Sequence, residues 1–282
     1  MKWAVRFLVL VVGFFAVVGL MSLSAWQGWS VSRQETPQLA AQLTPSFRYF
    51  VPEGAGPFPT VLQFHGCGSA QTNQDEWGAY FASQGYAAVV VDSLTPRGIG
   101  RIEAVLTVCT AVQLTSMERA GDIIAALRQV RSLPFVDDQR LYLAGWSHGG
   151  WSIMDLMSLD LTQTTPPNLM SASPADLGGI RGAALIYPYC GFPSSTTSNG
   201  WQRDLPTYVI MGDEDTVAPA RPCLAAIDRL STDGISIEHA VYEGAGHDFD
   251  VSGHEVFHQG TYLEEETNRA RTEVISFFNG LR

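Results

Sequence analysis

A serine stands between two glycines in "GWSHGG", at Ser147, directly after the apolar run "LYLA". A serine hydroxyl is a poor nucleophile until a base takes its proton, so Ser147 can do chemistry only if a histidine reaches it. Glycines on both sides are what a sharp strand-to-helix bend requires, because the bend leaves no room for side chains at those positions. With 27 glycines in the chain the pattern alone is weak. Its setting, a strand before and a helix after, makes Ser147 the candidate nucleophile.

The base should follow the last strand. "GAGHDFD" lies there and presents His247 in a glycine-bounded loop after "GISIEHAVY". The other histidines fit less well. His65 and His148 belong to the segments around the early strand and the bend. His239 alternates with Ile235, Ile237 and Val241, which predicts a residue packed from a strand. The third member must hold the imidazole in one tautomer and stabilise its positive charge. "MGDEDTVAP" offers Asp213 and Asp215, and Asp215 is favoured because three residues beyond Gly212 the chain has turned toward the histidine. An oxyanion needs two backbone N–H donors. His148, after the nucleophile, and Cys67, in the glycine-rich "FHGCGS" after an early strand, are the candidates.

A rival pattern, "HEVFH" from His254 to His258, matches the H-E-x-x-H of zinc peptidases, with Glu255 as base. It stands between Gly253 and Gly260, a short interval for the long helix that motif needs, and no histidine follows to complete the ligand set. The expectation is a surface turn, no metal and no organic cofactor.

These residues must be held by a regular frame. Short apolar runs recur at "TVLQFHG", "YAAVVVDS", "RLYLAG", "RGAALIYP", "PTYVIMG" and "GISIEHAVYEG", separated by helical patterns such as "SMERAGDIIAALRQVRSL". Continuous apolar strands suit a parallel sheet covered on both faces. Their alternation with helices predicts an α/β, doubly wound, mostly parallel sheet flanked by helices, with ligands bound at the carboxyl ends of the strands.

The chain has 282 residues, 46% of them hydrophobic, and a formal net charge of -11 from 17 Lys plus Arg against 28 Asp plus Glu. That acidity and the lack of any basic run argue against a nucleic-acid partner, since phosphate binding needs clustered cations. Lys2 and Arg6 precede an apolar run from Phe7 to Met21, the pattern of an export signal. The run through Trp26 would equally serve as an anchor, so residues 7–26 could attach the chain to a membrane. Either way residues 1–26 predict export to the periplasm, cell envelope or medium. The polar segment 27–45 reads as a linker, and 46–282 as one catalytic domain. Four cysteines in an exported chain permit two disulfides, with three connectivities open.

Together "HGCGS", "VVVDSLTPRG", "GWSHGG", "MGDEDTVAP" and "GAGHDFD" resemble the dienelactone hydrolase family of α/β-hydrolases, over nearly all of 46–282. The resemblance implies an α/β-hydrolase fold and hydrolysis of a small carboxylic ester or lactone without cofactor. One departure matters: dienelactone hydrolases proper carry cysteine at the bend, whereas this chain has Ser147, which favours a serine esterase. A serine peptidase of the same fold is the nearest alternative, weakened by the expectation that no propeller or other extra domain precedes the catalytic one. A non-catalytic envelope binding protein is the other, and it would need none of the three polar residues. Arg97 in "TPRG" is either an anion clamp or a structural partner of Asp92 or a loop carbonyl. The loops 160–179 and 191–204 are expected to wall the pocket. Placing Cys67 and Cys109 after adjacent strands, and Cys190 and Cys223 after another adjacent pair, predicts the bonds Cys67–Cys109 and Cys190–Cys223. The cysteine-bearing stretches also look like those of exported members of the family.

Overall fold

A computed structural model describes residues 2–26, 31–253 and 260–281. In chain order its helices are α1 (Lys2–Trp26), α2 (Thr36–Leu43), α3 (Thr72–Ser83), α4 (Arg101–Thr107), α5 (Ser116–Val130), α6 (His148–Met157), α7 (Ser195–Asn199), α8 (Ala220–Thr232) and α9 (Glu264–Gly280). The strands are β1 (Arg48–Phe50), β2 (Phe58–Phe64), β3 (Ala87–Val91), β4 (Val136–Trp146), β5 (Ile180–Ile186), β6 (Thr207–Gly212) and β7 (Ile237–Tyr242).

The strands form one sheet in the order β1-β3-β2-β4-β5-β6-β7. All neighbours are parallel except β1, which runs antiparallel to β3 at one edge. From β2 the chain moves outward to β3 and then returns to place β4 on the other side of β2. The winding therefore reverses between β2 and β4, and a crevice opens at their carboxyl ends. "FHGCGS" leaves β2 there and "WSHGG" leaves β4.

Side chains alternate across each strand, so a doubly covered strand must be apolar on both faces. Val61 and Leu62 are consecutive and both fully buried. Val61 packs in the cluster containing Trp77 and Phe81 of α3 and Phe278 of α9. Leu62 belongs to the opposite cluster, with Ile123 and Leu127 of α5 and Ile153 of α6. Helix α5 opens with a reciprocal cap: Thr115 Oγ1 accepts from Glu118 N–H at 3.3 Å, and the Glu118 carboxylate accepts from Thr115 N–H at 2.7 Å.

Three expectations are corrected. Within 27–45, the expected linker, Thr36–Leu43 forms α2, which lies on α5 with Leu39 and Leu43 fully buried. The spacing of Leu39, Ala40 and Leu43 is a helical stripe, short enough to be hidden among polar neighbours. Gln34 pairs there with Leu169, which ties the loop 160–179 to this N-terminal segment instead of to the catalytic end. His239 is exposed because β7 is the sheet's edge strand.

Helix α1 presents Phe7, Leu10, Phe15 and Leu20 as exposed apolar side chains. Counting only described residues, no helix is long and apolar enough to cross a membrane.

Candidate active site

Ser147 sits between β4 and α6 with φ 50° and ψ −115°, a backbone conformation that non-glycine residues rarely adopt. Such strain persists only where the surroundings enforce it. Here a Cβ on Gly149 would run into the Phe64 carbonyl of β2, and one on Gly145 would stand 2.6 Å from Gly150 N. Close backbone approach, not turn freedom, is why glycine flanks this serine.

His247 Nε2 lies 3.0 Å from Ser147 Oγ, and His247 Nδ1 lies 2.7 Å from Asp215 Oδ2. All three residues are buried. The second Asp215 oxygen accepts N–H groups from Val217 at 2.8 Å and Ala218 at 2.7 Å, which fixes the carboxylate's orientation. With Nδ1–H donated to Asp215, Nε2 is left to accept the serine proton. Burial pulls the His247 pKa down, but the Asp215 hydrogen bond and the charges of Asp248, Asp215 and Asp250 outweigh it, so the net shift is upward. Burial pushes Asp215 up, and the bonds from His247, Ala218 and Val217 bring it below the usual carboxylate range.

The losing candidate, Asp213, is exposed and accepts the Gly244 N–H at 2.7 Å, closing the turn after β7. Cys67 and His148 line the same cleft as Ser147. Among the described residues neither backbone N–H is engaged in a turn, loop or cap hydrogen bond.

The cysteines pair as expected. Cys67–Cys109 joins the loop after β2 to the segment after α4, and Cys190–Cys223 joins the loop after β5 to α8. Arg97 takes the structural role: it donates to the Ser93 carbonyl at 2.7 Å and forms a two-pronged pair with buried Asp122 at 2.7 and 3.0 Å. Tyr189, Phe192 and Pro193, in and beside the loop 191–204, wall the cleft, whereas Asp160, Leu161 and Pro174 of 160–179 line a separate depression. The "HEVFH" segment lies outside the described residues.

Two buried features near the site carry no motif in the sequence. The first is Asp250, fully buried three residues after His247. It accepts from Trp77 Nε1 at 2.7 Å, Trp146 Nε1 at 2.8 Å, Tyr187 Oη at 2.5 Å and Asn73 Nδ2 at 3.3 Å. Tyr187 in turn lays its ring 4.7 Å from the His247 ring. The loop carrying the histidine is thus pinned to α3, to β4 and to the residue that follows β5. The signal was present in "HDFD": a carboxylate between Phe249 and Val251 must find donors when buried, and buried tryptophans need acceptors.

The second feature lies behind the serine. Arg119 is buried and its Nη1 stands 3.1 Å from His148 Nδ1, while among the described residues it forms no ion pair. Burial lowers its pKa to about 10, with the Asp122 charge opposing. His148 is held well below its usual range by burial, then by Arg119 and His65. His65 is lowered to about 3, first by burial and then by Arg119. Its Nε2 accepts the Ser93 N–H at 3.1 Å and its Nδ1 meets the Gly66 carbonyl at 2.6 Å, so a neutral imidazole joins the loop after β2 to the end of β3.

This sheet order, with a strained serine at the switch point, is that of the α/β-hydrolase fold. The chain's residues 168–281 match the model of the dienelactone hydrolase family, a span that contains Asp215 and His247. A Klebsiella pneumoniae structure assigned as a dienelactone hydrolase superposes with a TM-score of 0.59 at 16% identity, covering 83% of this chain and 92% of that one. Thermogutta terrifontis esterase 2, phosphonylated by sarin, gives 0.60 at 16% identity, covering 83% and 90%. At these identities the likeness is one of fold. Among curated proteins, a probable dipeptidyl-aminopeptidase B of Grosmannia clavigera is 27% identical over 239 residues, 79% of this chain and 23% of that protein. One from Metarhizium robertsii is 33% identical over 112 residues, 38% of this chain and 12% of its own length. The chain thus spans less than a quarter of the curated relatives it matches.

Proposed function

We propose that this α/β-hydrolase cleaves carboxylic esters or lactones through an acyl-Ser147 intermediate. The supporting observation is the continuous relay from Ser147 Oγ to His247 at 3.0 Å and from His247 to Asp215 at 2.7 Å. Ser147 Oγ attacks the carbonyl carbon while its proton passes to His247 Nε2. The carbonyl oxygen becomes an oxyanion, received by the N–H groups of Cys67 and His148. As the tetrahedral carbon collapses, the departing alkoxide takes the proton from His247 Nε2. Water then repeats the sequence on the acyl-enzyme, with His247 again base and then acid, and releases the acid. Asp215 stays ionised throughout and balances the imidazolium.

A peptidase reading rests on the sequence likeness to the dipeptidyl-aminopeptidases, because ester and amide cleavage use the same machinery. Rates on p-nitrophenyl esters set against dipeptidyl anilides decide between them. Ester turnover exceeding anilide turnover by several hundredfold supports the esterase, and the reverse order overturns it. Two disulfides suit an oxidising compartment. Export led by residues 1–26 accounts for that, and the mass of the mature chain will show whether the segment is cleaved or retained.

A further inference from the structure

Two clefts open from Ser147, and the path of the proton decides which half of an ester each receives. Both are bordered by Cys67, Cys109, Ser147 and Val217, so the Cys67–Cys109 bond stands on the ridge between them. The larger, about 280 Å³, is walled by Trp151, Tyr189, Phe192 and Pro193. The smaller, about 150 Å³, is bordered by Gln71, Arg101, Val105, His247 and Asp248.

Resting on the serine-hydrolase reading above, we infer that the larger cleft receives the acyl group and the smaller the alcohol, and that the preferred substrates are esters of compact apolar acids, aromatic or branched, with small polar alcohols. The departing oxygen must come within about 2.6–3.2 Å of His247 Nε2 to take its proton. It therefore leaves on the side that His247 borders, which is the smaller cleft. The acyl substituent, held on the same carbon, projects the opposite way, over Trp151.

The walls match this division. Trp151 and Tyr189 rings are 5.0 Å apart, and Tyr189 Oη donates to the Phe192 carbonyl at 2.9 Å, so the three aromatic residues form a linked surface. Such a surface gains most from a flat or branched apolar group. Small-molecule sites run from about 300 to 1,000 Å³, and this cleft, at about 280 Å³, falls just below that range, which disfavours long acyl chains. Across the ridge, Gln71, Arg101 and Asp248 place polar groups where an alcohol's hydroxyls would lie.

The test uses two ester series on the whole protein. One holds methanol constant and varies the acid through acetate, benzoate and hexadecanoate. The other holds benzoate constant and varies the alcohol through methanol, ethylene glycol and benzyl alcohol. Phe192 is 84% exposed, so Phe192→Ala removes a cleft wall with little demand on folding. It should lower the benzoate-to-acetate ratio of kcat/KM by about tenfold, the scale of one lost apolar contact, and leave the ranking of alcohols in place. Val105→Trp narrows the other cleft and should lower the benzyl-to-methyl ratio by a similar factor without altering the ranking of acids. Crossed effects, or a uniform loss over both series, would overturn the assignment. Fluorophosphonate labelling of Ser147 in the same preparations keeps the two failures apart. A labelled serine with crossed effects counts against the clefts alone, and an unlabelled wild-type serine counts against the hydrolase reading beneath them.

Discussion

Two loops converge on Ser147, and they are held by different physics. The loop after β2, which carries Cys67, is fixed by a covalent bond to Cys109 and by neutral His65 bridging to Ser93. The loop after β7, which carries His247, is fixed by one buried carboxylate, Asp250, accepting hydrogen bonds from four side chains. A crosslink tolerates changes in local polarity but depends on the redox environment. A carboxylate hub is indifferent to thiols but has no substitute for its charge. The two halves of the site should therefore fail under different insults.

The reference point is Ser147→Ala, which should lower ester hydrolysis by roughly 10⁴- to 10⁶-fold with the fold intact. Retention of a tenth of wild-type kcat would remove Ser147 from the role of nucleophile. Next is Asp250→Asn. It keeps the size but loses the charge, and its amide cannot accept all four bonds. Each buried donor left unpaired costs about 1–3 kcal/mol, and a displaced His247 should lower kcat by about 10². KM should change far less. A melting curve with kcat and KM checks both, and an unchanged kcat would show that the hub is not needed to position the histidine.

Breaking the other anchor should do less to turnover. The Cys67→Ser, Cys109→Ser double variant loses a crosslink worth about 3–4 kcal/mol in the chain-entropy model. The Cys67 N–H then wanders, and kcat should fall about tenfold if it serves the oxyanion. Reductant on the wild type should reproduce the effect and leave Asp250→Asn no worse than additive. A loss larger than that of Asp250→Asn would invert the comparison.

The loops also differ in their response to acid. His65 and His148 have folded-state pKa values below the unfolded value near 6.5, so the unfolded chain binds more protons between the two values. Their contribution is present above about pH 6.5 and is lost as pH falls toward His65's folded value of about 3. His247 is raised, so its contribution is present below about pH 6.5 and is lost as pH rises through its folded value. Melting temperature should drop from pH 6.5 to 4, while the acid limb of kcat/KM, which follows His247, should have its midpoint above 6.5. A flat melting profile would contradict the neutral-histidine account. The smallest effect expected is that of EDTA, which should leave activity within a few-fold. Strong inhibition reversed by zinc would return attention to "HEVFH".

The regular frame was legible because buried parallel strands are continuous apolar runs, which located β2 to β6, while alternation located β7. The exception, β1, is a three-residue edge strand, too short to carry a period. The catalytic candidates were legible for a related reason: their roles require specific residue types at the carboxyl ends of strands. Asp250 and Arg119 were not, because what they do depends on partners far along the chain, Trp77 and Trp146 for one and His148 for the other. The misplacement of His239 has the same root. Alternation located the strand but could not tell that it lies at the edge.

The proposed chemistry requires Ser147 Oγ to be the atom that is acylated. Treatment of the full-length protein with a fluorophosphonate, followed by peptide mass mapping, tests that directly. One adduct is expected, on the peptide "LYLAGWSHGG" at Ser147, with loss of ester hydrolysis in proportion to labelling and no adduct in Ser147→Ala. An unlabelled protein that still cleaves esters, or an adduct on another serine with loss of activity, would contradict it.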